Sequence, residues 1–284
     1  MLQLVESKPA IDAFIEKHDS VAALPENMSR IIQMAGDRDC NTTQLVRLIS
    51  QDAALAGQIM KAVNSAYYAL PTKLTRLDRA VAFMGLRAVK QVTLSETLRK
   101  MSKPVKLGSY DARSLWDHSV GVAILARELA VKSRAMDPEE AFLAGMLHDI
   151  ALLLAAQSEP ANGAQLFTQA ESAAGSFEPL EQEIYGFNHS ELGERLAGKW
   201  KLPEQVASVI RWHHEPRNAP EAHRAMCTHV YVADTLCCEA NVGCPLTCRL
   251  QQVTDEDLAA TRLSREVTEE TAAKLRILMR LFVN

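Results

Sequence analysis

Apolar residues recur along this chain at the three- and four-residue intervals of an amphipathic helix. Between Asn41 and Val63 they fall at Leu45, Leu48, Ile49, Leu55, Ile59 and Val63. Asn41 or Thr42 can cap this stretch, and a break fits within Ser50 to Ala53. Leu77 to Leu98 repeats the pattern through Leu77, Val81, Met84, Ala88 and Val92. Met101 to Ser109, with Pro104 and Gly108, predicts a linker. Beyond it, Leu115, Val122, Leu125 and Leu129 mark a helix over Ser114 to Lys132. In "DPEEAFLAGMLHDIALLLAAQ", Asp137 is an N-cap, Pro138 suits the first helical position and Glu140 completes a capping box. One helix is therefore expected to run through His148 and Asp149. Asn188 with Glu191 opens another, Pro203 and Pro216 bracket "LPEQVASVIRWHHEP", and Ala225–Cys238 and Val267–Phe282 supply the last two. Strand-type alternation is nowhere sustained. The pattern predicts an all-α, multi-helix bundle divided near the linker, with a helical subdomain over 1–105 and a second over 106–284.

Composition changes this picture little. The formal charge of −4 and the pI near 6.1 give no strong nucleic-acid signal. The opening MLQLVESKP lacks a basic leader, and the apolar run Ala141–Ala156 is interrupted by His148 and Asp149. A cytoplasmic protein without a membrane span is expected. Of six cysteines, Cys40 stands apart while Cys227, Cys237, Cys238, Cys244 and Cys248 crowd together. Their spacing lacks paired C-x-x-C knuckles, so reduced thiols packed as small hydrophobes are expected rather than zinc ligands or disulfides. "ESAAGSFEPLEQ" reads as a surface loop or a helix start near a site.

The candidate chemistry lies in the histidines and aspartates on apolar helices. They are His118, the adjacent His148 and Asp149, His189, the adjacent His213 and His214, and Asp234. Singly, each has an ordinary reading. His118 can be a satisfied core histidine, His213 and His214 can answer a helix dipole, and Asp234 can cap or pair with an arginine. Together they are imidazole and carboxylate ligands that successive helices of a bundle can gather at one point. His148 and Asp149 project about 100° apart on a helix, so one ion can meet both. His229 diverges from Asp234 by about 140° and is a bystander. The set exceeds what one ion needs and suits two ions sharing Asp149.

The order H…HD…H…HH…D resembles that of the HD superfamily of metal-dependent phosphohydrolases, and within it the HD-GYP branch. The resemblance implies that His118, His148, Asp149 and Asp234 serve one divalent transition ion (iron, manganese or zinc), and that Asp149, His189, His213 and His214 serve a second. Asp149, as the bridge, is the candidate catalytic residue if a water is activated for hydrolysis of a phosphoester or nucleotide. The chain departs from that branch at Ala151-Leu152, where Gly-Lys is usual, and at "PRNAPEAH" after His214-Glu215, where the GYP segment is lost. Both departures argue against cyclic di-GMP as substrate. Leu24-Pro25, Ile49 to Leu55, "NSAYY" (Asn64 to Tyr68) and Ala80 to Leu86 are similar to the first half of the HDOD domain, a closer match running from about Leu24 to Asp234. That family is bacterial, all-helical and tied to signalling, and no general enzymatic activity is established for it. It implies an HD-like bundle with an N-terminal subdomain that engages signalling proteins. Two functions stay open: a metal-dependent phosphohydrolase whose lost lysine is replaced by Arg113, Arg127 or Arg211, and a non-catalytic signalling or scaffold protein with a structural or sensory metal site.

Overall fold

The expected helices are present, and local chemistry sets their ends. The structure, a computed structural model, describes residues 8–19, 42–65, 68, 70–172 and 176–283. The Leu24-Pro25 motif, Cys40, Asn41 and Tyr67 lie outside these residues. The chain divides into two units, one of 1–23 with 102–275 and one of 24–101 with 276–284. They interleave where a single cut at 105 was expected.

In the second of these units, α2 (Thr42–Ser50), α3 (Ala53–Val63) and α4 (Leu77–Met101) enclose Leu45, Ile49, Ile59, Val63, Ala80 and Val81. The break between α2 and α3 belongs to Asp52, whose Oδ1 accepts from the amides of Ala54 and Leu55, both at 3.0 Å. Gly85 interrupts α4 with φ 77°, a conformation that costs glycine nothing. Asn64 ends α3: its amide nitrogen donates to the Met60 and Leu74 carbonyls and its oxygen accepts from Leu74 N–H. The motif around Asn64 is thus a helix terminus that also pins the loop leading into α4.

The other unit begins with α1 (Lys8–Lys17), tied to a later helix by Asp12 and Arg195. Part of the expected linker forms a minimal antiparallel hairpin, β1 (Lys106–Leu107) and β2 (Tyr110–Asp111), turning at Gly108 with φ 61°. The helices α5 (Ala112–Ser133), α6 (Pro138–Leu147), α7 (Ile150–Ser158), α8 (Pro160–Ser172), α9 (Phe177–Tyr185), α10 (His189–Lys199), α11 (Glu204–Trp212) and α12 (Glu221–Glu239) follow, then α13 (Asp255–Thr261) and α14 (Arg265–Ala273). The last helix, α15 (Leu275–Val283), lies almost wholly in the other unit. Val267–Phe282 is therefore two helices parted at Lys274, not one.

A further correction concerns the helix expected to run through His148–Asp149. It breaks there into α6 and α7. His148 donates from Nδ1 to the Gly145 carbonyl at 2.7 Å, the acceptor that the Asp149 N–H would use in an unbroken helix. Asp149 turns to φ −103°, ψ 13°. By length and composition 138–158 passes as a membrane span, but 83% of its most apolar window is buried inside the protein, the mark of a core segment.

The cysteine expectation also needs correction. Cys227, Cys237 and Cys244 are free and buried, but Cys238 and Cys248 are joined as a disulfide. Helix α12 ends one residue past Cys238, and the chain turns back through Val242–Cys248 onto the same helix, a meeting that spacing alone does not reveal.

Candidate metal centre

Close helix packing assembles the site. Gly145 on α6 abuts α5, where a Cβ would stand 3.0 Å from Ala123 Cα, so the end of α6 can approach His118 on α5. Gly243 (φ 72°) lets the turn after α12 run against the backbone of Ser114 and His118, nearer than any β-carbon permits. His189 is the first residue of α10, capped by Asn188 and Glu191 in a reciprocal box. His213 and His214 lie just past α11 rather than in its last turn. His213 donates from Nδ1 to the carbonyls of Val209 and Ile210 (3.2 and 3.0 Å) at the end of the helix. Asp234 comes from the middle of α12.

These elements bring the predicted residues into one cluster. Asp149 Oδ1 lies 3.3 Å from both His189 Nε2 and His213 Nε2, and its Oδ2 lies 3.5 Å from His148 Nε2. His118 Nε2 approaches Asp234 Oδ1 at 3.0 Å, and His148 Nε2 is 3.9 Å from the same oxygen. His189 Nε2 is 3.0 Å from His214 Nε2. Ligand atoms of Asp149, His189, His213 and His214 fall within 4.8 Å of one another, as do those of His118, His148 and Asp149. Asp149 belongs to both groups. A third group joins His118 and Asp234 to Cys238, which sequence reasoning set aside because no knuckle spacing surrounds it.

The donor chemistry fits ions. His118, His148, Asp149, His189, His213 and Asp234 are each 3% exposed or less. Among their buried atoms, both Asp149 oxygens, Asp234 Oδ2, both His118 nitrogens and His148 Nε2 have no hydrogen-bond partner. His118 and Asp234 therefore stand 3.0 Å apart without hydrogen-bond alignment. Buried polar atoms left in that state cost about 1–3 kcal/mol each. His148 and His213 direct Nδ1 at backbone carbonyls and His189 directs Nδ1 at Glu181, so each presents Nε2 inward, as outer-shell partners do for metal-bound histidines.

Glu181 is a residue that sequence reading missed. It is 2% exposed and reaches from α9 to His189, accepting from the ring Nδ1 at 2.6 Å and from the backbone N–H at 3.2 Å. It lies within the stretch read as a loop or helix start, and the sequence signal was only an acidic residue in an otherwise ordinary amphipathic helix. Burial disfavours charge on Glu181 and raises its pKa, while His189 counteracts that rise. Burial disfavours a charged His189 too, but Glu181, and then Asp149, outweigh it and carry His189 up to about 10. Burial takes His148 down to about 4 and, helped by the neighbouring His213 and His189, holds His214 well below the ordinary histidine range. Asp149, whose burial works the other way, is held well below the carboxylate range by His148 and His213. His229 donates from Nε2 to the Ala126 carbonyl (3.2 Å) and takes no place in the cluster.

His214 borders a cavity. This space of about 270 Å³ is also lined by Ser176, Glu178, Glu215, Tyr231 and Gln251. The Gln251 amide contacts His214 Nδ1 and accepts from the Thr235 hydroxyl at 3.0 Å. Among the described residues, the lining includes neither lysine nor arginine. The arginines expected to replace the lost lysine are engaged elsewhere: Arg113 with Asp117, Arg127 with Glu128 and Glu139, and Arg211 with Trp212 and Glu194.

Residues 21–216 match the model of the HDOD domain. A curated relative, an uncharacterized protein of Treponema pallidum (strain Nichols), is 26% identical over 224 residues, which span 77% of this chain but only 42% of the relative. Among solved structures, an HDOD domain protein of unknown function from Geobacter sulfurreducens superposes with a TM-score of 0.77 at 22% identity, covering 98% of this chain and 97% of that one. A protein from Shewanella amazonensis SB2B, named as a candidate phosphohydrolase, gives 0.71 at 22% identity, covering 94% of each chain. A candidate signal transduction protein from Marinobacter aquaeolei VT8 gives 0.79 at 20% identity over 98% of this chain and 64% of its own. At these identities the likeness is one of fold.

Proposed function

The chain belongs to the HDOD family, and from that premise we propose that it is a signalling protein whose interior holds two divalent transition ions (iron, manganese or zinc) for structure and sensing. His118, His148, Asp149 and Asp234 would hold one, and Asp149, His189, His213 and His214 the other. Bound there, the ions supply the positive charge that two buried carboxylates lack. The observation that carries this reading is the setting of the cluster: its residues are sealed from solvent save His214, and the cavity at His214 presents Glu178 and Glu215 without a cation. A phosphoester is anionic, and hydrolysis requires groups that clamp its oxygens. Two carboxylates at the mouth repel it instead.

The chain's own residues keep the site ready. Glu181, Gly145 and the α11 carbonyls fix three imidazoles, and the sealed helices exclude water. Engagement of signalling partners falls to the helices over 42–101. Phe83 there is 51% exposed and edge-stacked on Tyr68, which supports an apolar contact surface.

A second reading, phosphohydrolysis, draws on the same cavity, since His214, whose Nε2 lies 3.0 Å from His189 Nε2, lines it. Elemental analysis of protein purified without chelator, paired with a panel of phosphodiesters and nucleotides, tests both. We expect about two equivalents of metal, lost in Asp149→Ala, and no turnover of any phosphoester. Metal-free wild-type protein would overturn the reading. Turnover abolished by Asp149→Ala would move the function to hydrolysis.

A further inference from the structure

A cysteine pair touches the metal cluster from the side. Cys238 Sγ lies 3.9 Å from Asp234 Oδ1, and Cys248 Sγ lies 3.9 Å from the Asp234 carbonyl oxygen. Asp234 Oδ2 is buried without a partner, as are both ring nitrogens of His118 beside it. The ligand atoms of His118, Asp234 and Cys238 fall within 4.8 Å of one another. An ion bound at about 2.0–2.2 Å to nitrogen and oxygen and about 2.3 Å to sulfur sets neighbouring ligand atoms about 3–4 Å apart. The observed 3.0 Å between His118 and Asp234, and 3.9 Å between Cys238 and Asp234, lie in that range. Cys238 is half-buried at the end of α12, whereas Cys248 is 2% exposed.

We propose that Cys238 is a redox-controlled ligand of the ion at His118 and Asp234. With the disulfide formed, its sulfur is committed to Cys248 and cannot act as a thiolate. Reduction by a dithiol breaks the S–S bond. Two electrons and two protons pass from the dithiol, which closes to its own disulfide, and Cys238 and Cys248 are left as thiols. Cys238 then releases its proton to solvent on joining the ion, and the coordination changes from nitrogen and oxygen alone to one that includes sulfur. The same bond ties the turn at 248 to α12, and three residues further on Gln251 contacts His214, so the redox state reaches the cluster from both ends. This proposal rests on the metal-binding reading above and adds to it a redox input.

Cobalt(II) titrated into the full chain distinguishes the two. Protein reduced with dithiothreitol is expected to show cobalt d–d bands and, in addition, a thiolate-to-cobalt charge-transfer band in the near ultraviolet. The charge-transfer band is expected to vanish in protein oxidised with glutathione disulfide and in Cys238→Ser, with the d–d bands retained. In reduced Cys248→Ser, which removes the disulfide partner of Cys238, the band is expected to be retained. A reduced wild-type spectrum with d–d bands alone, or a thiolate band that persists in Cys238→Ser, overturns this proposal and leaves the metal reading standing. No cobalt bound to reduced protein overturns both.

Discussion

The helices over 42–101 and those over 112–239 bury polar groups on opposite terms. In the earlier region, Thr93 donates to the Val89 carbonyl at 2.8 Å, Glu96 receives Arg99 at 2.7 and 2.8 Å, and Asn64 has each amide atom engaged. Every one of these polar groups is answered, and among the described residues the other buried side chains of that region are apolar. In the later region, Asp149, Asp234, His118 and His148 are as deeply buried but keep atoms with no partner. A core that needs only stability has no use for such atoms, because each one opposes folding. Their gathering at one point supports the proposal that this interior is arranged for a ligand rather than for packing.

The sharpest way to break that contrast is to damage the hydrocarbon core. Ile59 is fully buried in the earlier region. Ile59→Ala is expected to cost about 2–5 kcal/mol in chemical denaturation, while metal content per folded molecule stays at the wild-type value. Loss of metal from folded Ile59→Ala would mean that the two regions are not separate in function.

A smaller effect is expected from Glu181→Gln, which keeps the shape but removes the charge behind His189. Metal affinity, read by competition with a chromogenic chelator, should weaken about tenfold to a hundredfold. In the metal-free variant the His189 pKa should fall from about 10 toward the ordinary histidine value, as followed by NMR. An unchanged affinity would assign Glu181 to helix packing alone.

Finest of all is the pH dependence of the metal-free protein. Burial lowers His148 and His229 to about 4 and holds His214 well down. The unfolded chain therefore binds more protons than the folded one between about 6.5 and 4. Stability therefore drops as pH is lowered through that window, by up to about 1.4 kcal/mol per pH unit for each histidine. His189 acts in the opposite direction: its raised pKa contributes fully below 6.5, and that contribution is lost as pH climbs to about 10. Urea midpoints are thus expected to peak near pH 6.5. A midpoint that rises steadily from pH 4 to 10 would contradict the arrangement around His189.

Sequence alone determined the helical class, most helix positions and the identity of the candidate ligands. Those are local properties: spacing of apolar residues writes a helix into the chain, and imidazole and carboxylate are rare enough on apolar faces to stand out. Even so, it joined α6 to α7, because the contest between His148 Nδ1 and the Asp149 amide for the Gly145 carbonyl has no periodic signature. Tertiary structure alone decided that Asp149 stands between two histidine groups, that Glu181 stands behind His189 and that Cys238 meets both Cys248 and Asp234. It also decided that Arg113, Arg127 and Arg211 point their charge at other partners. These are relations between residues far apart in the chain. They depend on how closely helices approach at Gly145 and Gly243, and on which carboxylate each arginine meets first, and neither is written in the spacing of any one segment.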